Sequence, residues 1–351
     1  MAGGLLNLIS IGNANLFLTG NPSKTFFRTS YVKHTNFGLQ KFRIDYKGTK
    51  DLRLTEPSTF TFKMPRHADL LMDTYLVMSL PDIWSPIHPP TEDTGNRWAP
   101  YNFRWIEDLG AQMIQEIEIR CGSFVLSRYS GEYLSAVVER DFEEMKKKNF
   151  RHMSGNVVEL NNPALAYGRE NTYPNAHFLE GQTTTAGVEP SIRGREIYVP
   201  INAWFTMDSK CALPMIALQY NELEISITVR PIHDLFQVRD IHEEEYDFPY
   251  VRPDFNQSRF QMYRFLQSPK NEDILHPNAY DNKVGVWNAD IHILSTYCFL
   301  EKSEARQFAQ EDQMYLVKDV FVHKYDNIHG SKKVKLETTG MVSSWMWYFQ
   351  R

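Results

Sequence analysis

The sequence predicts an all-β protein of the sandwich or jelly-roll class. Three observations carry this reading. Short stretches alternate apolar and polar residues, Gly, Pro and Asn cluster between them, and aromatics are abundant at 22 Phe, 18 Tyr and 7 Trp. The clearest strand is Leu223 to Val229, where Leu223, Ile225, Ile227 and Val229 alternate with Glu224, Ser226 and Thr228. A period of two sends one set to a buried face and the other toward water or a second layer. The same period appears at Phe60–Phe62–Met64, Ile117–Ile119–Cys121, Ile197–Val199–Ile201, Ile291–Ile293 and Val334–Leu336.

Two segments read as helix instead. From Glu132 to Lys148, Leu134, Val137, Val138, Phe142 and Met145 recur at spacings of about three and four. Asp141, Glu143 and Glu144 precede Lys146–Lys148, an order that suits the helix dipole. Glu301 to Gln310 holds strong helix formers and neither Gly nor Pro. Between strands lie long turn-rich stretches. Pro81 to Pro100 contains five prolines, and Asn149 to Gly194 is rich in Asn, Gly and Thr. Loops of that length on a β scaffold carry recognition or contacts with neighbours. A further stretch, Pro231 to Pro277, holds the acidic run Glu243–Glu245. A domain boundary is expected at its start, because Pro231 cannot extend the ladder of the strand ending at Val229. The expected division is an arm over 1–24, one sandwich over 25–230 and a second over 231–351.

Composition narrows the function. Charged residues make up 23% and the net charge is −5, so no general attraction to phosphate backbones exists. Direct nucleic-acid binding is not expected. Cys121, Cys211 and Cys298 are odd in number and far apart, and no CxxC occurs, which reads as free thiols. The first basic residue is Lys24, so no secretory n-region is present, and no apolar run reaches the roughly 20 residues of a membrane span. Ala2 to Leu18 is apolar but interrupted by Gly and Asn. It is a candidate to lie against a partner or a membrane surface.

Catalytic motifs fail on inspection. Gly20 to Thr25 ends in Lys-Thr like a phosphate loop, but Ser23 stands where the loop needs Gly. His242-Glu243 begins a zincin pattern whose second His is replaced by Tyr246. His67-Ala68-Asp69 and His242-Glu243-Glu244 match the HxD and HxE halves of a jelly-roll oxygenase site. With 11 His and 43 acidic residues in 351, about one such pair is expected by chance. Asn256-Gln257-Ser258 is a sequon that reads as a plain loop without a secretory signal. No catalytic, cofactor or metal residues are assigned.

Four blocks carry a family resemblance. Gly3 to Phe37 contains Leu18–Pro22 (LTGNP), Thr25–Phe27 (TFF) and His34–Phe37 (HTNF). Phe103 to Leu134, Ile197 to Ile227, and Phe299 to Gln310 followed by Ser331 to Leu336 are the others. Together these blocks resemble the major capsid protein of nucleocytoplasmic large DNA viruses.

The resemblance implies a double jelly roll: two eight-stranded sandwiches side by side, with short helices in the connections. It implies homotrimeric, pseudo-hexagonal capsomers that tile an icosahedral virion shell. Capsomer–capsomer contacts, minor capsid and penton proteins, and an inner face near an internal membrane are the implied partners. The implied location is the virion capsid, assembled in the host cytoplasm. Pro81–Pro100 and Asn149–Gly194 are expected to form an outer tower or an intersubunit clasp. The family's second jelly roll continues beyond a block such as Trp345–Arg351, so an incomplete second sandwich is expected here. Two other readings stay open: a carbohydrate-binding β-sandwich and a jelly-roll metal oxygenase.

Overall fold

The computed structural model describes residues 35–48, 51–176, 189–218, 220–243, 246–271, 273–338 and 341–349. By internal contacts the chain forms two units, residues 1–37 and 38–351. The first is described only at 35–37, so the expected arm over 1–24 and the apolar stretch Ala2–Leu18 lie outside the described residues.

The strands are β1 (Phe37–Asp45), β2 (Ser58–Lys63), β3 (Leu70–Leu80), β4 (Ile87–His88), β5 (Ala99–Pro100), β6 (Phe103–Trp105) and β7 (Ile114–Cys121). They continue as β8 (Phe124–Tyr129), β9 (Arg195–Pro200), β10 (Leu213–Pro214), β11 (Leu223–Val229), β12 (Phe236–Arg239), β13 (Tyr250–Val251) and β14 (His292–Leu300). One sheet runs β1-β14-β3, with β9 and β10 on different parts of the far edge of β3. A second runs β2-β11-β7-β8. Their inner faces share one core that includes Phe60, Phe62, Leu71, Leu76, Ile117 and Ile227. Two facing sheets with this chain order form a jelly roll.

The period of two decides the packing. In β11, Leu223, Ile225, Ile227 and Val229 are all buried, and the residues between them are half-buried. Each buried aliphatic side chain contributes about 1.5–3 kcal/mol. On the other face, Thr59 and Thr228 Oγ1 atoms meet at 3.0 Å, and Thr61 Oγ1 meets Ser226 Oγ at 3.2 Å. Such cross-strand pairs fix the register that the core pattern demands.

Register also places the connections. Leu80, which ends β3, lies opposite Arg195, which begins β9, and His292 of β14 lies opposite Val77. In the other sheet, Ile114 at the start of β7 lies opposite Val229 at the end of β11, and Val229 lies opposite Ser58. The long connections 46–57, 81–113, 130–194 and 230–291 therefore leave from these strand ends. The connections 64–69, 122–123 and 201–222 leave from the opposite ends.

The structure departs from expectation at three points. The sandwich does not close at residue 230. The ladder of β11 does end before Pro231, but the chain returns 60 residues later as β14, between β1 and β3. Residues of the intervening stretch, including Leu235, Phe236, Phe260 and Phe265, belong to the same core. Burial of these side chains overrides the local break. Second, the helix expected over Glu132–Lys148 is two helices, Gly131–Asp141 and Glu144–Met153, separated by an extended Phe142. The first begins at Ser130, whose hydroxyl accepts the Tyr133 N–H, and Gly131 is forced by a close approach to the Ala111 and Ile114 carbonyls. Third, Val334–Leu336 is not a strand. The helix Lys302–Gln310 forms as expected, but 311–349 contains no helix or strand among its described residues. Among the described residues no neighbouring strand pairs with it to complete a ladder.

Candidate functional site

The four long connections bind one another. Ile232 and His233 N–H groups donate to the Arg53 and Leu54 carbonyls, and Ile106 N–H donates to Leu235. Ser85 is a junction. Its N–H donates to Ser191 Oγ at 3.0 Å, and its carbonyl accepts from Ala176 N–H at 2.9 Å and Asn175 Nδ2 at 3.2 Å. Its hydroxyl lies 2.8 Å from that of Tyr173, which donates to the Phe103 carbonyl at 2.7 Å. Burial pushes the Tyr173 hydroxyl pKa upward, so it stays a neutral donor. Ile83 and Ile192 add a β-bridge. The described parts of Pro81–Pro100 and Asn149–Gly194 thus hold each other within this one chain; 177–188 lie outside the description.

The connection 230–291 is pinned by Arg264, which is 7% exposed. Its guanidinium donates to the Ser258 carbonyl at 2.8 Å, Ser258 Oγ at 3.1 Å and the Ile274 carbonyl at 3.1 Å. It lies against the rings of Tyr263 and Tyr280. Desolvation pushes the Tyr280 pKa up to about 12. No motif marked Arg264 in the sequence. A buried charge satisfied by backbone carbonyls leaves no local pattern.

Above these contacts a small sheet, β13-β12-β6, presents two unlike faces. Phe103 pairs with Val238 and Trp105 with Phe236, and all four are buried. Phe103 stacks on Phe236 at 4.5 Å. The residues that alternate with them turn the other way, and Asn102, Arg104 and Arg239 line an open cleft of about 700 Å3. Gln237 itself holds Arg104 in place, accepting from Nε at 3.0 Å and Nη2 at 2.7 Å. The guanidinium lies 3.8 Å from the centre of the Tyr250 ring. Arg239 lies over Phe248 and donates to its carbonyl at 3.4 Å. Asn102 Oδ1 is buried with no hydrogen-bond partner among the described residues. The opposite wall comes from Asn162, Ala164 and the loop Asn171–Asn175. The alternation YNFRW and FQVR was the available signal for this sheet, and each strand is too short to stand out.

The motif residues have structural surroundings. His67 stacks on Phe42 at 4.4 Å, and Asp69 accepts the Leu300 N–H at 2.8 Å. His242 meets the ring of His88 edge-on at 5.6 Å, and Glu244 lies outside the described residues. Among the described residues no group of three or more His, Cys, Asp or Glu could hold a metal. Among the described residues Cys121, Cys211 and Cys298 form no disulfide. Asn256 is exposed, and its Nδ2 donates to Asp254 Oδ1 at 3.0 Å. The phosphate-loop-like Gly20–Thr25 lies outside the described residues.

Comparison with known proteins places this fold. A family model described as "Major capsid protein N-terminus" matches residues 25–248. The major capsid protein of Phaeocystis pouchetii virus is 26% identical over 360 residues, covering 100% of this chain and 59% of that protein. The major capsid protein of Chrysochromulina ericina virus is 24% identical over 371 residues, covering 100% of this chain and 58% of that protein. A quasi-atomic model of the PBCV-1 virus capsid superposes with a TM-score of 0.48 at 16% identity, over 84% of this chain and 50% of that chain. The chain spans a little under three fifths of the length of the two viral relatives. The family match covers more than half of this sequence, and the chain belongs to the family of major capsid proteins.

Proposed function

We propose that this chain is the shell-building part of a major capsid protein, with a structural and non-catalytic role. The observation that carries the reading is the family match over residues 25–248, the region that supplies eight of the nine strands of the two facing sheets. A jelly roll suits this task because its two sheets share one core and resist bending. Three copies with two sandwiches each would present six similar edges, giving a pseudo-hexagonal, homotrimeric capsomer. A closed threefold ring uses heterologous contacts, in which one surface meets a different surface of the next copy. The second sandwich would follow β14, so that the division between the two falls after Leu300. Tiling of such capsomers into an icosahedral shell, contacts with minor capsid and penton proteins, and an inner face near an internal membrane complete the proposal. So does residence in the virion capsid after assembly in the host cytoplasm.

Size-exclusion chromatography with light scattering tests it, on this chain and on a version extended along its gene. A mass three times that of the chain, which is 41.1 kDa for the sequence given, supports a capsomer subunit. Monomers in both versions at micromolar concentration would reject it.

A further inference from the structure

We infer that the cleft between the β13-β12-β6 sheet and the loop Asn171–Asn175 binds an oligosaccharide that carries a carboxylate. This goes beyond the shell reading and does not depend on it. The volume of about 700 Å3 is that of a small-ligand site. Its floor is a sheet face rather than a mobile loop, and the opposite face of that sheet is core. The polar groups are therefore held in place before a ligand arrives.

The lining chemistry selects the ligand. Arg104 and Arg239 are both positioned by neutral partners, a glutamine oxygen and a backbone carbonyl. Neither takes part in an ion pair among the described residues. Arg104 commits Nε and Nη2 to Gln237, and its Nη1 edge is left to donate. A guanidinium edge offered without a protein carboxylate fits an anionic oxygen pair. The rest of the cleft combines the amides of Asn162 and Asn171 and the Thr172 hydroxyl with the rings of Phe248 and Tyr250 and the single carboxylate Asp247. Amides both donate and accept, which matches sugar hydroxyls. A polyphosphate chain would meet repulsion from Asp247 and only two cations.

Titration calorimetry on the soluble chain tests this, with 3′-sialyllactose and a hyaluronan tetrasaccharide as carboxylated probes. Lactose and a hexaglutamate peptide are the controls. At least one carboxylated probe is expected to bind at least about tenfold tighter than either control. The double variant R104Q/R239Q is expected to weaken that binding by about tenfold or more. Thr172→Trp, an exposed rim substitution, is expected to block it without touching the sheet. The inference is overturned if both carboxylated probes fail to bind at about 10 mM. It is equally overturned if lactose or hexaglutamate binds as tightly, or if T172W leaves binding unchanged. Should the arginine variant fail to fold, T172W alone decides.

Discussion

Residues 37–300 and residues 311–349 share the same residue types and have opposite fates. Ile225 is fully buried, whereas Val334 is 40% exposed and Leu336 is 45% exposed in a stretch with the same alternation. Trp105 is 1% exposed and Trp347 is 78% exposed. The difference is partners. Ile225 lies opposite Phe62 on one side and Ile119 on the other. Val334 has no strand on either side among the described residues. The outer stretch touches the sandwich at isolated points, such as the Tyr315 hydroxyl on the Ala212 carbonyl at 2.8 Å and the packing of Val320 on the core. Alternating hydrophobicity thus states a capacity to form a strand. A ladder and a facing sheet turn that capacity into structure.

The largest test of this contrast is a matched pair of truncations. Phe62→Ala removes a fully buried ring and is expected to cost about 3–5 kcal/mol in urea unfolding. Trp347→Ala is expected to change stability by less than about 0.5 kcal/mol. An equal loss from both would show that the outer stretch packs as tightly as the sandwich. A second test asks whether the 230–291 connection is part of the sandwich. Arg264→Met strips three carbonyl or hydroxyl acceptors of their donor and is expected to cost about 2–3 kcal/mol. Limited proteolysis of that variant should cut within 258–274 before it cuts the strands. If cleavage rates there match the unaltered chain, the pin does not hold the connection.

The smallest expected effect is electrostatic and lies on the β7-β8 edge. Desolvation raises the Glu118 pKa, but Arg128 and Arg120 outweigh it, and the carboxyl is held below the usual glutamate range. A carboxylate with a depressed folded pKa adds stability that is present above its unfolded pKa of about 4.3 and lost as pH falls through the folded value. Glu118→Gln should therefore flatten the acid limb of the stability profile below about pH 4.5 and leave the shape above pH 6 unchanged. An unchanged acid limb would mean that the two arginines are too solvated to matter.

Much of the sandwich was legible in sequence. The strands at Phe60–Phe62, Ile117–Cys121, Ile197–Val199 and Leu223–Val229 all lie where alternation put them. The helix near Glu301 does too. The cleft was not legible. Its arginines come from strands of three and four residues that are distant in sequence, Phe103–Trp105 and Phe236–Arg239. Arg264 was silent because two of its three acceptors, the Ser258 and Ile274 carbonyls, are backbone groups with no side-chain signature.

By itself the sequence determined which stretches can form a strand, because a period of two suits a pleated, half-buried ladder. It also determined the absence of a dominant positive charge. Tertiary structure decided where the sandwich closes. Pro231 ends one strand whatever surrounds it. Only the shared burial of Phe236, Phe260, Phe265 and Ile293 keeps the next 60 residues on the same core and brings β14 home between β1 and β3. Burial is a property of the assembled sheets, and no local window of sequence contains it.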